Sequence, residues 1–146
     1  MKVTRGITLV ELLIVVAVIS VLAIGLMPKL SMGGNSDSKI STLCSRLQKV
    51  RAQISVYRVQ HLDRVPGGTK DVSFEQAMTN ETDVEGNLVD GGGCGPYMEE
   101  IPENPFNDSS AVRIGGEAAG ANTHGWRYDT KTDSFQADSS KPHAQL

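Results

Sequence analysis

The hydrophobic positions fall into three regimes along the chain. Residues 7–27, ITLVELLIVVAVISVLAIGLM, form an apolar run of 21 residues in which Glu11 is the only ionisable side chain. As a helix this run is about 31 Å long, close to the hydrocarbon thickness of a bilayer. From Ile40 the apolar positions stand three and four apart, at Ile40, Leu43, Cys44, Leu47, Val50, Ile54 and Tyr57. That spacing predicts an amphipathic helix, capped by Asn35, Ser36 or Asp37 and running to about His61. Between the two regimes Pro28 removes a backbone donor, and Gly33 and Gly34 each weaken a helix by about 1 kcal/mol relative to Ala. Residues 25–36 are therefore expected to form a flexible joint.

The third regime is short and broken. Arg64-Val65-Pro66-Gly67-Gly68 ends the helix. Ser73 and Gln76 stand at capping-box spacing ahead of a short helix over 73–78. Residues 80–95 read as a loop rich in glycine and acid, and Pro102 and Pro105 hold residues 101–106 extended. Residues 112–114 are a strand candidate. Residues 126–128 and 134–137 flank Asp129 to Asp133 as a hairpin, with Trp126 and Tyr128 expected in its core. The polar tail, 139–146, is expected to be disordered. The predicted fold is α+β: a long N-terminal helix, membrane-spanning in its first half and amphipathic in its second, packed on a small C-terminal antiparallel β-sheet. The divisions are a membrane and assembly helix over 7–28, an amphipathic helix with its joint over 29–66, and a head over 67–138.

Charge sharpens this division. The formal net charge of the 146-residue chain is −3, but residues 1–35 carry +2, residues 36–66 carry +4 and residues 67–146 carry −9. A head this acidic is a poor match for phosphate, so no nucleic-acid partner is expected. Lys39, Arg46, Lys49, Arg51 and Arg58 lie mostly off the apolar face of the amphipathic helix. They read as a solvated face or, alternatively, as a basic stripe meeting acidic surfaces of neighbouring subunits. Lys2 and Arg5 precede the apolar run with no acid beside them, which favours a cytoplasmic N-terminus and a head on the far side of the membrane.

Three kinds of segment have a basic start followed by an apolar run: a secretory signal, a plain anchor, and a helix that uses its acid. Val21-Leu22-Ala23 is only a loose cleavage site for the first, and neither of the first two needs Glu11. A carboxylate at bilayer depth costs roughly 3 kcal/mol on insertion scales and is normally kept for a partner.

The segment Gly6-Ile7-Thr8-Leu9-Val10-Glu11-Leu12-Leu13-Ile14-Val15-Val16 resembles the N-terminus of type IV pilins and of the pseudopilins of type II secretion. The resemblance implies that residues 1–6 are a leader and that a prepilin peptidase cuts between Gly6 and Ile7 and methylates the new amine. Most family members carry Phe or Met where this chain has Ile7. Pro28 stands where many have a helix-kinking proline. The resemblance further implies that Glu11 pairs with the freed amine of a neighbouring copy when the helices bundle, so that one axial stagger is favoured.

Gly95-Pro96-Tyr97-Met98, Pro102-Glu103-Asn104-Pro105-Phe106 and Gly125-Trp126-Arg127-Tyr128-Asp129 resemble the head of the major pseudopilins. The implied function is a structural subunit of a type II secretion pseudopilus, not an enzyme, anchored by a single pass in the cytoplasmic membrane with a periplasmic head. Its implied partners are further copies of itself, other pseudopilins, the prepilin peptidase and the inner-membrane assembly platform. A surface type IV pilin, or a membrane-tethered binding domain that never polymerises, are the alternatives.

Other chemistry is thin. Many major pseudopilins hold calcium in a loop before the last strands. Asn107, Asp108, Asp129 and Asp133 are weak candidates for part of such an oxygen set, although Asp129 and Asp133 read more simply as turn residues, and no cofactor is expected. Cys44 and Cys94, the two cysteines, are a candidate disulfide outside the cytoplasm, with a buried thiol as the simpler reading of Cys44. His61, His124 and His143 show no metal-ligand spacing with the cysteines.

Overall fold

The computed structural model describes residues 9–16 and 35–146. The chain divides into two compact units, Met1–Gly34 and Asn35–Leu146. In the first, residues 9–16 are helical (α1). The joint expected over 25–36 lies almost wholly outside the described residues.

The second unit opens with α2 (Asn35–Gln60), which carries Asp37 in its first turn and Arg58 in its last, both signs matched to the helix dipole. Its apolar face is the one the spacing predicts from Leu43 onward: Leu43, Leu47, Val50, Ile54 and Tyr57 are buried. Ile40 is exposed and Cys44 half-buried, because the head does not cover the first turns. The helix ends where Leu62 and Asp63 enter the left-handed region at φ 52° and 67°, and the Asp63 N–H closes the end on the Arg58 carbonyl at 2.8 Å.

The short helix α3 (Phe74–Thr79) begins in a full capping box. The Gln76 N–H donates to Ser73 Oγ at 3.1 Å, and the Ser73 N–H donates to Gln76 Oε1 at 3.0 Å. Three strands follow: β1 (Val112–Ile114), β2 (Trp126–Asp129) and β3 (Ser134–Ala137), in the order β1-β2-β3. The hairpin pairs Trp126 with Ala137 and Asp129 with Ser134, antiparallel as expected.

The sheet as a whole is nevertheless mixed, because β1 lies parallel to β2 with Val112 opposite Trp126. Connection length accounts for the difference. Four residues between β2 and β3 permit only a hairpin, whereas the eleven residues 115–125 are enough to return the chain to the starting side of the sheet.

The tail also departs from expectation. Residues 143–145 form a 3₁₀ turn, Ala144 is buried, and Gln136 Nε2 donates to its carbonyl at 3.0 Å. The His143 ring lies 3.8 Å from that of Phe106. Burial of Ala144, its backbone carbonyl and the His143 ring fasten the tail down, contacts that its polar composition does not reveal.

The core joins the α2 stripe to Phe74, Ala77 and Met78 of α3 and to Trp126, Tyr128, Phe135 and Ala137 of the sheet. Phe74 stands 5.0 Å from Tyr128 and Trp126 5.3 Å from Phe135, ring to ring. Burying each such aromatic is worth about 2–3 kcal/mol. Trp126 Nε1 donates to the Pro102 carbonyl at 2.7 Å, so the extended 101–106 segment satisfies the one polar atom of that ring. Gly125 is required beside it: a Cβ there would lie 1.8 Å from the Ser109 carbonyl oxygen.

Candidate functional site

The candidate assembly residues lie in the first unit. Gly6, Ile7 and Pro28 fall outside the described residues. Glu11 lies in α1 and is exposed. Its helical neighbours Leu9, Val10, Leu12, Leu13, Ile14, Val15 and Val16 are each about half to three-quarters exposed. Eight successive residues point in every direction around a helix axis, so α1 is apolar on all sides with one carboxylate interrupting it. A helix of that kind needs lipid or other apolar helices around it. Among the described residues no helix is long and apolar enough to cross a membrane.

The head is organised by charged and polar groups that the sequence did not single out. Asp138, just beyond β3, is fully buried. Its Oδ1 accepts from Arg113 Nη2 at 2.6 Å and from the Gly120 and Ala121 N–H groups at 2.9 and 3.2 Å. Its Oδ2 accepts from Arg113 Nε at 2.9 Å, Thr123 Oγ1 at 3.1 Å and the His124 N–H at 3.2 Å. Burial by itself would raise this carboxyl. The Arg113 guanidinium, the backbone N–H groups and the Thr123 hydroxyl outweigh burial and hold it well below the usual carboxylate range. Arg113 also donates to the carbonyls of Gly115, Glu117 and Ala118, so a single ion pair ties the 115–124 loop to the sheet.

A second cluster closes the far end of α2. His61 is fully buried and stacks on Tyr57 at 3.8 Å with the rings 4° apart. Its Nδ1 lies 2.8 Å from the Tyr57 carbonyl and its Nε2 2.9 Å from Thr82 Oγ1. A carbonyl only accepts and a hydroxyl can do either, so both ring nitrogens have a partner. Tyr97 donates to Gln60 Oε1 at 2.6 Å, and burial, with Cys94 and Tyr57 nearby, pushes its phenol up to about 12.

The basic side chains of α2, expected to be solvated or to reach other subunits, turn instead onto their own head. Arg46 donates to the Glu103 carbonyl. Arg51 donates to the carbonyls of Phe135 at 3.0 Å and Leu146 at 3.1 Å. Arg58 pairs with Asp63 and Asp133, and Lys39 sits 5.9 Å from the Phe106 ring centroid. Lys49 remains exposed.

The calcium candidates do not assemble into one site. Asp129 pairs with Arg127 at 2.9 Å, and Asp133 accepts from Arg58 and, at 2.6 Å, from the Tyr128 hydroxyl. Asn107 Nδ2 donates to the His124 carbonyl at 2.9 Å, before the start of β2, whereas Asp129 ends that strand; five extended residues separate the two points by about 16 Å. Asp108 is exposed. Among the described residues no group of three or more His, Cys, Asp or Glu is placed to hold a metal.

The cysteines are also kept apart, and both thiols are free. Cys94 pairs with Thr82 through two backbone hydrogen bonds, which places it beside His61 at the C-terminal end of α2. Cys44 lies seventeen residues earlier on that helix, about 25 Å away at the helical rise. A disulfide needs its Cα atoms within about 7 Å, so the candidate bridge is geometrically excluded.

The apolar helix over 9–16 that carries Glu11 and, in the second unit, the amphipathic α2 packed on a small α+β head invite comparison with known proteins. Residues 1–27 match the prokaryotic N-terminal methylation motif. This motif is typical of type IV pilins and pseudopilins, and residues 1–27 are type IV pilin-like on that ground. The motif marks structural subunits rather than enzymes and implies prepilin peptidase processing and assembly into polymers. Comparison with curated proteins and with solved structures returns no match.

Proposed function

We propose that this protein is a structural subunit of a type II secretion pseudopilus. The methylation motif over residues 1–27, with Glu11 inside its apolar run, carries the reading. A single-pass precursor sits in the cytoplasmic membrane with its N-terminus inside and its head in the periplasm. The prepilin peptidase removes residues 1–6 and methylates Ile7. Mature copies, with other pseudopilins, then bundle their apolar helices on the inner-membrane platform. Glu11 accepts the freed amine of the adjacent copy and sets the stagger, and Pro28 marks the place where the helix yields. Growth of the filament drives exported protein through the outer membrane. In the head, the Arg113 guanidinium pairs with Asp138 and fastens the 115–124 loop.

Preference for a pseudopilus over a surface pilus rests on the head motifs around Pro96, Pro105 and Trp126. Co-expression with a prepilin peptidase tests the reading. The mature chain is expected to begin at Ile7, to carry one added methyl by mass, and to sediment as a polymer, with Glu11→Ala cutting incorporation sharply. A chain that keeps Met1 and stays monomeric is a tethered domain instead. Deletion in the native host is expected to stop export and spare surface pili; loss of surface filaments with export intact would make it a pilin.

A further inference from the structure

Asp90-Gly91 is the single Asp-Gly bond in the chain, and no Asn-Gly bond accompanies it. It lies at the tip of the loop between Glu81 and Gly95. The base of that loop is closed. The Thr82 N–H donates to the Cys94 carbonyl at 2.9 Å, the Cys94 N–H returns to the Thr82 carbonyl at 2.8 Å, and the Val89 N–H donates to the Glu81 carbonyl at 3.1 Å. The tip carries no such ties. Among the described residues, no hydrogen bond or ion pair reaches the Asp90 carboxylate or the main-chain groups of residues 90–92. Asp90, Gly91 and Gly92 are all exposed. Gly91 and Gly92 stand at φ 88° and 80°, and a Cβ on either would meet no heavy atom within 4 Å.

These are the conditions for a reaction between neighbouring groups. The Asp90 carboxyl is free to turn about its side-chain bonds. The amide nitrogen it must meet carries no hydrogen bond that would have to break first, and glycine puts no side chain beside that nitrogen. With nothing to restrain it, the tip can rotate into a ring-closing geometry without opening the rest of the head. Elsewhere one condition or another fails. Asp129 and Asp138 are held in ion pairs with Arg127 and Arg113, and Asp83 accepts from the Asn87 N–H. Asp71 is exposed, but the next residue is the branched and buried Val72.

We infer that Asp90 and Gly91 form a modification site, at which the folded chain converts spontaneously to isoaspartate. The Gly91 nitrogen attacks the side-chain carboxyl carbon of Asp90. The amide proton and the carboxyl hydroxyl leave together as water, and a succinimide ring closes. Water then adds to one of the two ring carbonyls. Addition at the side-chain carbonyl restores aspartate. Addition at the main-chain carbonyl breaks its bond to the Gly91 nitrogen, and the chain then runs through the former side chain. One water leaves and one returns, nothing is oxidised or reduced, and mass and charge are unchanged. The product lengthens the loop tip by a methylene and leaves a free α-carboxylate on it, the group that an isoaspartyl carboxyl methyltransferase esterifies. The reaction draws on the loop alone and is independent of what the chain assembles into.

Ageing the detergent-solubilised full chain at neutral pH tests it. Methyl transfer from S-adenosylmethionine by an isoaspartyl methyltransferase counts the product, and electron-transfer fragmentation of the tryptic peptide places it. Trypsin releases residues 71–113 as one piece, so Asp71, Asp83 and Asp108 are controls beside Asp90. Isoaspartate is expected to collect at Asp90 severalfold faster than at any other position. Its rate in the folded chain is expected to stay within about fivefold of that in guanidinium chloride, because no protecting structure has to open. Asp90→Glu keeps the charge but cannot close a five-membered ring, and is expected to lose most of the methyl acceptance. Isoaspartate that collects mainly elsewhere, an Asp90→Glu chain that accepts methyl groups as before, or a folded chain slowed more than about fivefold against the unfolded one would each overturn the inference.

Discussion

Asp138 shows how one residue can hold a head together. Its carboxylate is out of water, yet six donors from Arg113 and the 120–124 backbone and side chains converge on it. Removing one partner of such a pair leaves the other buried and uncompensated, at a cost of about 3–5 kcal/mol. Asp138→Asn is therefore expected to lower the unfolding free energy of the head by about that amount in urea titrations. The pH dependence has a definite sign. The folded-state value lies below the ordinary 3.8, so Asp138 contributes fully above about pH 4 and its contribution fades as the pH falls toward the folded value. Asp83 and Asp129, both held low by their turns, act in the same direction. Stability measured from pH 6 down to pH 2 is expected to fall steeply in the parent and less steeply in Asp138→Asn. Nothing in the sequence marks this pair. Arg113 sits in a strand and Asp138 lies twenty-five positions on, in what reads as the start of a polar tail.

At the level of elements, legibility followed the range of the forces involved. The buried face of α2 was readable because a 3.6-residue period is a local signal: Leu43, Leu47, Val50, Ile54 and Tyr57 fall where the spacing puts them. The capping box of α3 was readable for the same reason, since Ser73 and Gln76 are three residues apart. Ser73→Ala is expected to cost about 1 kcal/mol, measurable as a shifted urea midpoint with unchanged slope. The β2–β3 hairpin was legible from its turn. The parallel seat of β1 was not, because it depends on a long connection whose path is set by Asp138. The Arg46, Arg51 and Arg58 contacts were misread as solvent or subunit contacts, because a charged side chain off the apolar face gives no hint that a carbonyl lies within its reach. The N-terminal segment was legible as a linear motif, matched over residues 1–27, because no folding is needed to assemble it.

On the scale of the whole molecule, chemistry that depends on distance was the hardest to foresee. Cys44 and Cys94 look like a pair by count, but the length of α2 separates them. Alkylation of the denatured chain is expected to add two adducts with or without prior reductant, read by intact mass; a reductant-dependent second adduct would contradict the free thiols. The distribution of head contacts along α2 has a mechanical consequence. From Arg46 to Arg58 the helix is fastened at successive turns to the 103 carbonyl, to β3 and to the hairpin turn. A pull along the helix axis loads these fasteners in shear, all together, rather than peeling them one by one. Force applied to α2 at its Asn35 end would therefore carry the head along before the head unravelled.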